Sequence, residues 1–457
     1  MPAIMHNKYG LQKETIALSA IIFVIFVLMY FLEMRNIGYA VQGLDELSSC
    51  QILKIRNSVY RLMQDLTTGS TCFLITADNV TLDLNNHVIE GDGDIEDYGV
   101  FVDGREGAII KNGIIKNFNT GILLKSSKQA SIMDNQLEHN FDSGLSLING
   151  SDHVISDNLF LSNSYYGIKM SSSLNNKIVR NTIYENFDAG LFMQASSKNI
   201  ISDNIITSNS WNGISLYKSN ANLLEGNIIR KNSWNGISLV LSSKNTFVRN
   251  TLEGNIRGIY LFSGGENIFS DGAIINSSAL VGSLYISNSN HNQFSRITID
   301  QQKRNQYALS IISSGNDQAA HNFFQDVVLT NPEQDIYSRT GFSSSNFDNV
   351  FLNVNYDREA LTDSEKLHDL ERKWWLEILV VEQGKPIQAA VEIQDNFGNG
   401  FTAQTSKEGY FKTALTDYIK TPAKTDRYSY RINVIYNYKR LSKVLRMNEN
   451  RVEVFEF

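Results

Sequence analysis

Asparagine recurs at positions 112, 135, 158, 181, 204, 227 and 250, a step of 23 residues held six times running. A second series at Asn117, Asn140, Asn163, Asn186, Asn209, Asn232 and Asn255 keeps the same step, as do glycines 121, 144, 167, 190, 213 and 236 before slipping by one to Gly258. A fixed period of this size marks a solenoid, in which each unit buries its apolar side only against its neighbours. The unit is too short for two packed helices. Its apolar residues alternate with a period of two, as in Gly213-Ile214-Ser215-Leu216 and Gly236-Ile237-Ser238-Leu239, and β-branched residues are frequent. Each repeat therefore reads as one coil of a parallel β-helix.

Aligning the coils gives three short strands per turn. Two columns point inward: Ile122, Leu145, Ile168, Leu191, Ile214, Ile237 and Ile259, then Leu124, Leu147, Met170, Met193, Leu216, Leu239 and Leu261. Strands stack about 4.8 Å apart, so equivalent side chains stand directly over one another. The Gly column marks a corner with positive φ or close backbone approach. A third Asn column (176, 199, 222, 245, 267) precedes the third strand, and stacked Asn amides can bond along the axis. The solenoid is expected over 73–355, with a cap over 41–72 that includes the amphipathic stretch Gln51–Leu62. Thr362-Asp-Ser-Glu365 reads as a capping box opening a short helix to about Trp375, within a cap or linker over 356–375. From 376 to 457 the period disappears, and alternating strands with Gly-rich turns predict a small β-sandwich. The fold class is all-β.

A net charge of −7 argues against nucleic-acid binding, which requires a basic surface. Residues 16–32 are apolar apart from Ser19 and follow Lys8 and Lys13. They predict a membrane anchor within residues 1–40, or a signal segment cleaved after Ala40. Either assignment places the rest of the chain outside the cytoplasm, single-pass in the first case and secreted in the second. Cys50 and Cys72 are the only cysteines, and on the exported side of a membrane they are expected to pair. Closing that loop adds about 3 kcal/mol through the unfolded state; two free buried thiols are the alternative.

The stretch Cys72-Phe-Leu-Ile-Thr-Ala-Asp-Asn-Val-Thr-Leu-Asp-Leu-Asn-Asn-His-Val-Ile-Glu-Gly91 resembles the opening coil of NosD-like exported proteins, which belong to the pectin-lyase-like superfamily. The Asn…Gly-Ile-x-Leu coils extend the resemblance over about 72–352. It implies right-handed coils and carbohydrate-related function. Gly384-Lys-Pro-Ile-Gln-Ala-Ala-Val391 and Ser406-Lys-Glu-Gly-Tyr-Phe411 look like a transthyretin-like or carboxypeptidase-regulatory-like accessory module. Catalytic signatures of the superfamily's enzymes are missing: neither an Asp-Pro-His-Asp nor a Gly-His-Gly occurs. NosD is linked to copper-site maturation, but this chain lacks a His/Cys/Met cluster, so no metal site and no cofactor are expected. The acid-rich Gly91-Asp-Gly-Asp-Ile-Glu-Asp97 lacks a full calcium-loop pattern and reads as a solvated turn.

Outward positions beside the Gly corner are unusually aromatic. Tyr165, Tyr166, Phe192, Trp211, Tyr217, Trp234 and Tyr260, with Arg257, form a track suited to stacking on sugar rings and matched to an extended polymer. Packing of the corner, or docking of an envelope partner, are the competing readings. Asp142 and Asp188 share a column two coils apart, about 9.6 Å on the strand spacing, with Lys169 between them. That separation is near the range of inverting glycosidases, although Asp is common in turns. The function expected is polysaccharide binding at the cell surface. The alternatives are a lyase, hydrolase or epimerase using Asp142, Lys169 and Asp188, or a structural envelope protein; enzymatic activity is left open.

Overall fold

The computed structural model describes residues 42–457 apart from 95, 280–281, 302–306, 315–317, 331–333, 340–348, 357–358, 361–369 and 422–423. The anchor expected at 16–32 lies outside these residues. Among the described residues no helix is long and apolar enough to cross a membrane, and every regular element is a strand.

Each coil contributes one strand to each of three parallel stacks. Thr120–Lys125, Ser131–Met133 and Gln136–Glu138 make one such turn. Among the described residues the first stack, here sheet 1, has fourteen strands from Gln51–Leu53 to Glu359–Ala360, and sheet 3 has twelve from Leu66–Thr67 to Val328–Thr330. Sheet 2 lies between them in chain order and runs from Gln42–Leu47, paired with Ser58–Leu62, to Asn349–Leu352 before joining the C-terminal strands. The solenoid therefore starts before residue 73: Gln51–Leu53 and Ser58–Leu62 are already its strands, not a separate cap. Sheet 1 keeps Ile122, Leu145, Ile168, Leu191, Ile214, Ile237 and Ile259 in register. Both expected inward columns are buried. Further along, Phe247, Phe269, Phe294, Phe324 and Phe351 continue the core as a pile of parallel rings, with centroids 4.3 to 4.9 Å apart.

Buried amides close the corners. Starting from Asn135 as the first donor, Asn158, Asn181, Asn204, Asn227 and Asn250 each accept from the amide of the ladder Asn one coil earlier, at 3.0 to 3.2 Å. A second ladder runs from Asn140 to Asn255. The third extends further than expected, from Asn176 through Asn292 and Asn322 to Asn349. Asn112 and Asn117, which the period placed in the first two ladders, fall one residue early. Gly113 and Phe118 instead donate their N–H groups to Asn135 and Asn140, because this pair of coils aligns Ile114 with Gln136, a step of 22. The Gly column is a close approach and not a left-handed corner. A Cβ on Gly213 would stand 2.7 Å from the Gly236 carbonyl and 2.4 Å from Ile229.

Cys50 and Cys72 form a disulfide across the first coil, with Cα atoms 4.5 Å apart. At the far end, Leu370–Glu382 is one long strand, so the helix expected to reach Trp375 does not extend over its described part. This strand pairs with Asn349–Leu352 of the solenoid and then with Tyr410–Lys420 and Arg451–Glu456. It thereby covers an open sheet edge that would otherwise invite another chain. A second sheet of Gly400–Gln404, Ala390–Asp395, Tyr430–Tyr436 and Lys439–Leu445 faces it across a separate core that includes Leu376, Val391, Val434 and Phe455. At the joint Arg372 pairs with the buried Asp417 at 2.6 Å, and the Tyr418 and Tyr356 hydroxyls meet at 2.9 Å.

Candidate functional site

Outward residues of sheet 1 and of the turn before it form one face. Backbone hydrogen bonds fix the turn column: Asp188 N–H donates to Tyr165, Trp211 to Asp188 and Trp234 to Trp211. Asp142 and Asp188 thus stand in one column, two coils apart. Lys169 Nζ donates to both Asp142 oxygens at 3.0 and 3.1 Å, and it lies 5.6 Å from the Tyr166 ring centre. Asp188 has no cation within ion-pairing distance among the described residues. Burial pushes its carboxyl above the ordinary aspartate value, outweighing a hydrogen bond from Ala189. Tyr166 is pushed up to about 12, first by burial and then by the charges of Asp188 and Asp142. It remains a neutral hydroxyl donor rather than a base. The three residues expected to act together are therefore split into an Asp142–Lys169 ion pair and a proton-retentive Asp188, with Tyr166 near both carboxylates.

The rings do not lie flat on the surface. Trp211 and Trp234 stack on each other, with centroids 4.9 Å apart and planes 5° from parallel. Tyr166 stacks on Phe192 at 4.9 Å, and Tyr260 on Tyr285 at 5.3 Å. The cause is geometric: the coil spacing is close to the separation of stacked rings, so successive aromatics in one column turn their faces to each other. The expected run of open faces is corrected to piles that present mostly edges. Trp211, 47% exposed, keeps its second face toward the Asp188 coil, where its column holds no ring. Tyr165 is equally exposed, with an edge contact to Phe141 at 6.2 Å and a tilted one to Tyr166 at 6.3 Å. Asp188 consequently sits in a gap between Tyr165 and Trp211.

Beyond the tryptophans, the Arg257 guanidinium carbon lies 5.6 Å from the Trp234 ring, 5.7 Å from Tyr260 and 5.1 Å from Tyr285. Tyr217 stands further along its strand, with Lys218 over its ring at 5.2 Å. Sequence reasoning missed Phe141 and Tyr285. Tyr285 is the register partner of Tyr260, but 25 residues separate them, so a fixed step of 23 passes it by. Phe141 precedes Asp142 in a turn that column counting did not include. The concavities lie elsewhere. One of about 460 Å³ follows the corner between sheets 2 and 3, past Asp134, Gln136, Asp157, Arg180 and Thr182. Another of about 330 Å³ lies where the C-terminal strands meet the solenoid, around Trp375, Lys412 and Arg451.

Residues 166–299 match the family model of the right-handed β-helix region. The fold is a right-handed β-helix. Residues 55–227 match the model described as periplasmic copper-binding protein (NosD). The chain is similar in structure to the A-module of the Azotobacter vinelandii mannuronan C-5 epimerase AlgE6, with 13% identity and a TM-score of 0.54, over 69% of this chain and 92% of the other. Weaker likenesses include the Dettilon tailspike protein gp208, with 15% identity and a TM-score of 0.46 over 86% and 73% of the two chains. The DFA-IIIase of Arthrobacter chlorophenolicus A6 gives 11% identity and a TM-score of 0.43, over 62% and 82%. No curated protein matches significantly. The described residues do not fit the copper named in the family description. Among them no group of three His, Cys, Asp or Glu side chains is placed to hold a metal ion. Both cysteines are bonded to each other, and Met170 and Met193 are sealed in the core.

Proposed function

We propose that this protein binds an extended polysaccharide along the outer face of sheet 1. The observation that carries the reading is the continuous column of aromatic and charged side chains from Phe141 to Tyr285, one coil after another. The gap over Asp188, walled by Tyr165 and Trp211, would receive a sugar ring, and the hydroxyl groups of the polymer would meet Tyr166, Lys169 and the ring edges. A protein of similar fold, named as a mannuronan epimerase, is a precedent for a carbohydrate polymer as ligand. Residues 16–32 would anchor the chain in the membrane with the β-helix outside the cytoplasm, or cleavage after Ala40 would release it. The C-terminal strands would serve as a transthyretin-like accessory module and cap. Retention of full-length protein on a panel of immobilised polysaccharides tests the reading. Trp211→Ala and Tyr165→Ala should each weaken retention roughly tenfold and leave the melting temperature nearly unchanged. Unchanged retention in both variants would refute it.

A second reading, catalysis on the same face, is favoured by the unequal environments of Asp188 and Asp142. Asp188, whose carboxyl burial raises above the ordinary value, would act as a general acid beside the Lys169-bound Asp142. Asp188→Asn should then abolish release of reducing or unsaturated sugars while sparing binding. Absence of product from the wild type across the panel would eliminate this reading.

A further inference from the structure

We infer that Arg257 is an anion-binding subsite and that the polymer held on this face is acidic, carrying uronate carboxylates. The inference rests on the polysaccharide reading above and narrows its substrate class. Arg257 is held by three rings, and its Nε is enclosed with no hydrogen-bond partner. No carboxylate lies within ion-pairing distance among the described residues, whereas Arg180, Arg296 and Arg372 each bind an aspartate. A guanidinium with no carboxylate partner and an unpaired Nε is one that a ligand carboxylate would stabilise. Its planar fork matches a carboxylate through paired charge-assisted hydrogen bonds. Burial raises the Tyr260 and Tyr285 hydroxyls above their ordinary values, so both remain O–H donors beside the guanidinium.

The remainder of the face is compatible with a polyanion although the chain carries a net charge of −7. Asp142 is neutralised by Lys169 at 3.0 Å. Lys218 adds a second cation on the same sheet. Arg257 lies three coils beyond Asp188, about 14 Å on the strand spacing, with the Trp211–Trp234 pile between them. A polymer bound through one carboxylate at Arg257 would run over the tryptophans into the Asp188 gap.

The test compares full-length wild type, Arg257→Gln and Arg257→Lys on immobilised polygalacturonate, the same polymer with its carboxyls reduced to alcohols, dextran sulfate and neutral dextran. Wild type should favour native polygalacturonate over its reduced form by roughly tenfold or more, and added salt should weaken that preference. Arg257→Gln should remove the preference, and Arg257→Lys should restore it only in part, since a point charge lacks the fork. Equal wild-type binding to the native and reduced polymers would overturn the inference without any variant. Undiminished preference in Arg257→Gln would also overturn it, as would dextran sulfate outcompeting polygalacturonate, which would indicate a sulfate site. Failure to bind any polymer would instead remove the polysaccharide reading itself.

Discussion

Asn204 is the sharpest probe of what holds the coils in register. Its side chain is buried and makes four hydrogen bonds. It donates to Ile178 O at 2.8 Å and to Asn227 Oδ1 at 3.0 Å, and accepts from the backbone N–H and side-chain amide of Asn181 at 2.9 and 3.1 Å. Asn204→Ala leaves one group without a partner, the Asn181 N–H, because the Ile178 carbonyl keeps the Ser202 N–H of the parallel ladder. The Asn181 amide keeps Ile155 and Val179, and the Asn227 oxygen keeps the backbone N–H of residue 204. A buried orphan costs about 1–3 kcal/mol, so the variant should lose about 2 kcal/mol locally. Global unfolding of a solenoid need not be two-state, so amide hydrogen exchange is the suitable assay. The Asn181 N–H should exchange roughly thirtyfold faster, with smaller effects several coils away. Asn220→Ala, at an exposed turn where one bond to Ser243 is lost, should cost no more than about 1 kcal/mol. Equal effects at Asn204 and Asn220 would refute the ladder as a major source of stability.

Two other positions give comparably specific outcomes. His153 occupies the third ladder's column, accepting from Ala130 N–H at 2.9 Å, and burial pulls it down to about 4. Its folded-state value lies below the unfolded one, so its contribution to stability is complete above about pH 6.5 and is lost as pH falls toward 4, by about 3 kcal/mol. His153→Asn, which restores the ladder residue, should flatten that part of the melting-temperature profile; an unchanged profile would exclude His153 as the cause. Gly213→Ala should lower stability by about 2 kcal/mol through overpacking, because its Cβ would meet a neighbouring carbonyl and a core methyl group; a neutral effect by denaturant titration would show that the corner relaxes freely.

Much of the solenoid was legible because one repeat is both a sequence unit and a structural unit. A spacing of 23 residues places each Ile over the next, and the same stacking makes Asn useful at every corner. Where the step changes, counting fails: Asn112 and Asn117 miss their ladders by one position, and Tyr285 hides behind a 25-residue coil. The strand Leu370–Glu382 was obscured by a local helix signal at Thr362–Glu365. Its described residues instead alternate between buried and half-buried, and pairing on both edges decides their conformation. The site was legible as a set of columns but not as an arrangement of rings. Sequence spacing indicates which residues share a face, whereas side-chain torsions determine whether rings face solvent or each other. The Asp142–Lys169 pair illustrates the same limit. Both residues were placed on the face, but only the coordinates show that the lysine engages one aspartate and leaves the half-buried other without a cation.

Hydroxyl-radical footprinting of the protein with and without a retained polysaccharide tests the central claim most directly, since it reads the exposure of each aromatic side chain. Binding along sheet 1 predicts that oxidation of Tyr165 and Trp211, each 47% exposed, falls severalfold, while the fully exposed Tyr438 of the C-terminal strands is unaffected. Protection of Tyr438, or of residues along the corner between sheets 2 and 3, with Tyr165 and Trp211 oxidised as before, would place the ligand elsewhere and contradict the account.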